Sequence, residues 1–207
     1  PLVAGRYRPV WPFASPEEVR NWRDAYRDGG RQGWLLDPAQ TALAFTREHL
    51  GFRGIDVITS RRVSGRHARI GVGYRPEPGA EPATAAVVHL VRYGDADPAP
   101  WEVVGTDDTT LTLTTPRYGA AVTSPVTVGG RVTGVDESIR VTVLGRAAGR
   151  LGEHCCLSAG GERSPWSARL SFRTPVTGER VLTVVASTGG HVAEVERFAI
   201  TAIRLAR

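Results

Sequence analysis

The sequence predicts an α+β unit, made of two helices and a curved antiparallel sheet, followed by an all-β sandwich. In the first half, the spacing of apolar residues changes from 3.6 to 2 near residue 55, as expected where helices give way to strands. In the second half, short apolar runs alternate with clusters of Gly, Pro, Asp and Ser, and no helical period occurs. We therefore divide the chain into an extended arm (1–14), an α+β unit (15–115) and a sandwich (116–207).

Two helix starts have the same chemistry, a capping side chain followed by proline. They lie at Ser15-Pro16, where Glu18 completes a capping box, and at Asp37-Pro38. The first helix is expected to stop at Gly29-Gly30 and the second at Gly51. Their apolar faces are expected to contain Val19, Trp22 and Tyr26 in the first helix, and Ala39, Leu43 and Leu50 in the second.

Alternating apolar residues predict the strands. Those of the first sheet are expected at Ile55–Val63, Arg66–Tyr74, Thr84–Tyr93 and Trp101–Thr106, with Leu111–Thr115 as a short fifth. Those of the second half are expected at Ala121–Val132, Ser138–Leu144, Gly152–Ser158, Trp166–Phe172, Val181–Ser187 and Glu194–Leu205. About seven short strands in about 90 residues are typical of a β-sandwich.

The composition suits one large or two small globular domains, since 41% of the 207 residues are hydrophobic and 23% are charged. This excludes intrinsic disorder, and no apolar run approaches the ~18 residues of a membrane-spanning helix. All 26 basic residues are Arg, a bias that indicates codon pressure in a GC-rich genome. Residues 116–207 carry 12 Arg and 7 acidic residues, whereas residues 1–115 carry 14 of each. The second half therefore favours an anionic partner, unless this charge belongs to an ordinary solvated surface.

The second half opens with Ser124-Pro125-Val126-Thr127-Val128-Gly129-Gly130 and continues through Ile139–Leu144, Trp166–Phe172 and Phe198–Leu205. With these segments, residues 121–205 resemble the immunoglobulin-like domain of bacterial spore-germination and cell-envelope lipoproteins. The acidic turn of that family is replaced here by Thr188–His191. The resemblance implies an immunoglobulin-like sandwich without catalytic residues, in an exported protein anchored near its N terminus. In topology, residues 15–115 resemble the NTF2-like and cystatin-like folds.

The two cysteines, Cys155 and Cys156, are adjacent. Zinc sites space their cysteines more widely, so a metal role is disfavoured. Three states remain open: two independent thiols on opposite faces of a strand, a vicinal disulfide in an oxidising compartment, or an intermolecular bridge. The pair is a candidate redox or disulfide site.

A cone-like sheet closed by helices often encloses a ligand pocket, and four residues are candidates to line one here: Trp22, Tyr26, Phe45 and His89. With a carboxylate such as Asp56, His89 would be able to exchange protons with a substrate. The alternative is a hydrogen-bonded structural histidine among core aromatics.

Other motifs give little support to a cofactor or to nucleic acid. The turn at Asp95 and Asp97 lacks the remaining ligands of a calcium loop. The arginines of the hairpin at Arg61–Arg69 belong to a unit without net charge, and a basic domain is expected of a nucleic-acid-binding protein. Nucleophile elbows, phosphate loops and zinc-protease motifs are absent from the sequence.

These observations predict a non-enzymatic, extracytoplasmic lipoprotein of the cell envelope, possessing no cofactor and serving in binding or scaffolding. Its expected partner is a cell-wall polymer or another envelope protein, and its expected contact with a membrane is a lipid anchor outside the chain. Its function is expected to be linked to sporulation, germination or the cell wall. Two alternatives are a protein that binds a small molecule in the cavity of the first unit, and an enzyme centred on His89.

Overall fold

The computed structural model describes residues 2–206 as two helices and two mostly antiparallel sheets, which confirms the predicted α+β architecture. The helices are α1 (Pro16–Gly29) and α2 (Pro38–Ala44), with a 3-10 turn at Gly33–Leu36 and a π turn at Phe45–His49. The first sheet contains β1 (Val57–Ser64), β2 (His67–Tyr74), β3 (Ala83–Arg92) and β4 (Trp101–Thr106), in that order. The second contains β5 (Ala121–Val122), β6 (Val126–Gly145), β7 (Gly149–Leu170), β8 (Val181–Thr188) and β9 (Arg197–Leu205), ordered β5-β9-β8-β6-β7.

The helix ends follow from the residues that cap them. Ser15 Oγ accepts a hydrogen bond from the Glu18 N–H at 3.2 Å, and α1 is followed by Gly30, whose φ of 67° suits glycine. Asp37 accepts from the N–H groups of the first turn of α2. The regular α-helical part ends at Ala44 and continues directly into the π turn as far as His49, so the helical segment ends just before Gly51, as predicted.

The segment Leu111–Thr115 is not a fifth strand of the first sheet, so that expectation is wrong. Leu111 bridges Val132, and Thr115 bridges Gly129, both in β6 of the second sheet. The side chain of Leu111 is fully buried in the core of the second sheet. Alternating apolar residues predict an extended segment but do not identify the strand with which it pairs. Here the burial of Leu111 in the core of the second sheet determines the pairing.

Two strands of the second sheet are much longer than predicted. The expected runs Ala121–Val132 and Ser138–Leu144 fall largely within the 20-residue β6, and β7 likewise joins two expected runs over 22 residues. Their pairing is irregular around Gly134, where β6 departs from regular register. Val128 and Val141, on either side of Gly134, belong to one buried cluster, so the β6–β7 hairpin bends over its own core.

The strand pair β8–β9 is buried on both faces. Phe198, Ile200 and Ala202 pack with the first sheet and α2. Ala199 and Ile203 pack instead with the core of the second sheet. The strand pair β8–β9 of the second sheet therefore contributes to both hydrophobic cores, which lie on its two opposite faces.

The N-terminal arm lies along β4. The Val10 N–H donates to the Val103 carbonyl at 3.0 Å, and the Val103 N–H donates to the Trp11 carbonyl at 2.8 Å. Phe13 is buried against Trp22 of α1. Within residues 2–206, no helix is both long and apolar enough to cross a membrane.

Because β8–β9 joins both cores, we expect Phe198→Ala to lower the free energy of unfolding by about 3–5 kcal/mol. Unfolding should occur in one cooperative transition, measured by urea denaturation with tryptophan fluorescence and circular dichroism. The control is Val192→Ala at an exposed site, which should change stability by less than about 0.5 kcal/mol. Separate transitions for the two sheets in the wild type would contradict a shared core.

Candidate functional site

The four predicted pocket residues lie in different places. Trp22 and Tyr26 stack on each other on α1, with ring centroids 5.6 Å apart. Phe45 is fully buried in the core of the first sheet, the same cluster that contains Phe198 and Ile200 of β9. Side chains from the second sheet therefore occupy the face where a cone-like sheet would leave a cavity.

His89 meets a partner that the sequence analysis did not identify. His67 Nδ1 and His89 Nε2 are 3.2 Å apart, and the ring of Tyr7 lies edge-on to both imidazoles. The register of β2 and β3 places Arg69 opposite His89 and His67 opposite Val91, so the two histidines are diagonal neighbours on one face. The sequence could have indicated this contact only through the register of the two predicted strands. The spacing of the two histidines along the chain does not reveal it.

The surroundings of His89 are cationic. Burial lowers its pKa to about 3, with Arg69, His67 and Arg6 acting in the same direction. Asp56 lies beyond the other end of β2, where its N–H donates to the Gly73 carbonyl, so the proposed partner carboxylate is not beside His89. His89 is neutral at physiological pH and packs under the arm.

Glu102 of β4 binds the N-terminal arm through its carboxyl group. Its carboxyl group is fully buried, and Oε2 accepts from the Phe13 N–H at 3.1 Å. Burial raises the pKa of Glu102 well above its usual range, although the Phe13 N–H and Arg146 oppose this shift. The nearby Tyr93 has its pKa raised to about 12, first by its own burial and then by Glu102 and Glu18. These groups form a buried polar layer between the arm and β4.

Arginine side chains hold the loop at 94–99 in place. Its carbonyl oxygens, the groups that a calcium ion would need, accept from guanidinium groups. The four donors are Arg23, Arg27, Arg66 and Arg92. Asp95 is almost completely exposed and pairs with Arg66 at 3.2 Å. Positive charge therefore already occupies the inner side of this loop.

A groove of about 550 Å³, here called the arm groove, lies between the arm, α1 and this loop. Residues 2–5 of the arm form one wall. Val19 and Tyr93 contribute apolar surface, and three guanidinium groups surround it, from Arg20, Arg23 and Arg66. These residues come from four segments of the chain, so the groove was not visible in the sequence. Its apolar lining and cationic rim suit an anion with apolar or polyol carbon.

The sulfur atoms of Cys155 and Cys156 are in contact, as the vicinal disulfide alternative requires. Cys156 lines a second concavity of about 380 Å³, here called the cysteine cleft. The cleft lies where the segment at Leu50–Phe52 meets β6, β8 and the loop after β8.

No protein-family model matches the chain, and neither a curated protein nor a solved structure is significantly similar to it. The resemblance of residues 121–205 to immunoglobulin-like envelope domains, and that of residues 15–115 to NTF2-like and cystatin-like folds, therefore stay predictions.

The buried histidines should make the protein sensitive to acid. The folded state lowers the pKa of His89 to about 3 and that of His49 to about 4, both chiefly through burial, from an ordinary 6.5. The unfolded chain therefore binds more protons in this interval, and stability should fall as the pH falls from 6.5 toward 4.

The measurement is the urea midpoint from pH 7.5 to pH 4. His89→Gln should reduce its dependence on pH. An equal slope in wild type and His89→Gln would contradict a buried neutral His89.

Glu102→Gln should stabilise the protein at pH 8. The raised pKa of Glu102 means that the fold favours the protonated carboxyl group, and the stability it contributes is lost as the pH rises above 4.5. An amide keeps an acceptor for the Phe13 N–H but carries no buried charge. We expect a higher melting temperature than wild type at pH 8 and a smaller difference at pH 4. A gain that is independent of pH would contradict this explanation.

Proposed function

We propose that the chain is a non-enzymatic, extracytoplasmic protein of the cell envelope that binds an anionic cell-wall polymer in the arm groove. The observation that carries the proposal is the group of three arginines around an apolar lining at Arg20, Arg23 and Arg66. In this proposal residues 116–207 form an immunoglobulin-like sandwich that supports the binding unit through the packing of β8–β9 against both cores.

The groove is prepared for an anion before one binds. Arg23 donates to the carbonyl oxygens of Pro98 and Ala96, and Arg66 donates to Arg92 and Gly94. Guanidinium groups held in place lose little conformational entropy when a ligand arrives, and their charge attracts phosphate or carboxylate oxygens.

The net charge of the groove remains positive. Asp95 is the acidic residue in its described lining, and it offsets one of the three guanidinium groups through its pair with Arg66. Arg20 is exposed on α1 and remains available to a polymer that extends beyond the groove.

Two further observations support the proposed class and location. The described lining of the arm groove contains neither histidine nor cysteine, and its single carboxylate is engaged by Arg66, so general acid–base or nucleophilic catalysis has little support there. The Cys155–Cys156 bond supports an oxidising compartment, where disulfides persist.

The test is calorimetric titration with poly(glycerol phosphate), a simple anionic wall polymer, at low ionic strength. Arg20→Gln should weaken binding about tenfold, because a charge-assisted hydrogen bond contributes about 1.5 kcal/mol. The control is Arg62→Gln, an exposed arginine of β1 outside the groove lining, which should leave affinity almost unchanged. Equal losses in both variants would indicate general charge attraction and overturn the groove as the site.

Thermal denaturation with dodecanoate, beside this titration, distinguishes a small-molecule ligand from a polymer. The apolar side chains of Leu2, Val3 and Val19 in the groove favour an amphipathic anion as the second candidate. If dodecanoate raises the melting temperature of the wild type while poly(glycerol phosphate) does not bind, the small-molecule function replaces the polymer function.

A further inference from the structure

The adjacent cysteines occupy a β-bulge in the long β6–β7 hairpin. Ile139 pairs with Leu157 and Val141 pairs with His154, so Arg140 alone on β6 stands opposite both cysteines on β7. Bulges of this kind redirect side chains and are frequent next to functional sites. Cys155 and Cys156 are both exposed there, and β7 is the outer strand of its sheet.

The cysteine cleft gives a reactant access to one of the two sulfur-bearing residues. Cys156 and Arg140 both line it, together with Ser138 and Thr188. Thr188 is only 2% exposed, and its hydroxyl oxygen has no hydrogen-bond partner within the described part of the chain. A buried polar group left unpaired in this way is available to a ligand. Glu194 is the carboxylate of the lining.

We propose that Cys155–Cys156 is a reversible redox site, reduced by a dithiol that enters through the cysteine cleft. A thiolate of the reductant attacks Sγ of Cys156, a mixed disulfide forms, and the electron pair of the broken S–S bond leaves on Sγ of Cys155. The second thiol of the reductant then displaces Cys156. The products are the cyclic disulfide of the reductant and two protein thiols, so two electrons and two protons pass to the protein.

The charges around the bulge favour this chemistry. Arg140 donates to Glu153 at 2.7 Å, but Arg150 donates to the same carboxylate at 2.9 Å, so two guanidinium groups share one negative charge. Arg140 stands opposite the cysteines, and its positive charge stabilises a thiolate, which is both the reactive and the leaving form of the group, while Glu194 of the cleft opposes this effect.

The first measurement is made on the intact folded chain purified without reductant. We expect dithiothreitol to release two thiols per chain in the absence of denaturant, and reoxidation to remove both while circular dichroism stays unchanged. Brief treatment with cysteamine followed by alkylation should place the mixed disulfide on Cys156, located by fragmentation mass spectrometry. Two free thiols before reduction, or release only in denaturant, would overturn the proposal, as would an adduct on Cys155 alone.

The role of Arg140 is tested in the Cys155→Ser background, where Cys156 is a single thiol. Its reaction with uncharged dipyridyl disulfide at pH 7 reports the thiolate. Arg140→Gln should slow this reaction about threefold, because the smaller thiolate fraction outweighs the higher nucleophilicity of the remaining thiolate.

The matched control is Arg150→Gln, which removes the other partner of Glu153 but not the residue opposite the bulge. It should leave the rate within experimental error of the parent. Equal rates for the Arg140 and Arg150 variants would overturn the electrostatic part of the proposal. The readouts are independent of the arm groove, so they succeed or fail separately from polymer binding.

Discussion

The structure depends on the burial of both faces of β8–β9. In β9 the side chains of Phe198 and Ile200 complete the core of the first sheet, while their neighbours Ala199 and Ile203 complete the core of the second. Neither sheet has a full core without this strand pair. Since burial of apolar surface is the dominant favourable term in folding, the relative position of the two sheets is set by the same packing that stabilises each of them.

This arrangement determines where ligands have room. The inner face of the first sheet, which in a cone-like fold would surround a cavity, is filled by Phe45, Phe198 and their neighbours. The concave surfaces lie instead at the margins, where segments distant in sequence meet. The arm groove needs the arm, α1 and the loop after β3, and the cysteine cleft needs the segment Leu50–Phe52 together with β6 and β8.

The sequence correctly predicted those helix and strand limits that depend on interactions between neighbouring residues. The start of α1 at Ser15-Pro16 follows from capping, which involves residues three or four apart. The limits of β4 also agree with the alternation that predicted them. Features that require knowledge of pairing were missed, including the diagonal contact of His67 with His89 and the pairing of Leu111 with β6.

The same limit applies to the candidate sites. The sequence showed two adjacent cysteines, which is an unusual arrangement. Their position opposite Arg140 depends on a shift in register between β6 and β7, which no local pattern reveals. The double burial of β9 did leave a trace, because Phe198–Leu205 is nearly continuous in apolar residues rather than alternating. Such runs are typical of strands covered on both faces.

The exclusive use of arginine has a consequence for how this chain is able to change. Arg66 reaches the carbonyl oxygens of Arg92 and Gly94 with one guanidinium group while also meeting Asp95, and Arg23 spans two carbonyls of the same loop. An ammonium group is a single point and lacks this planar fork. The exclusive use of arginine therefore matters for the structure as well as for the composition. Substitution of these arginines by lysine would keep the positive charge of this surface but lose the hydrogen bonds that hold the loop in place.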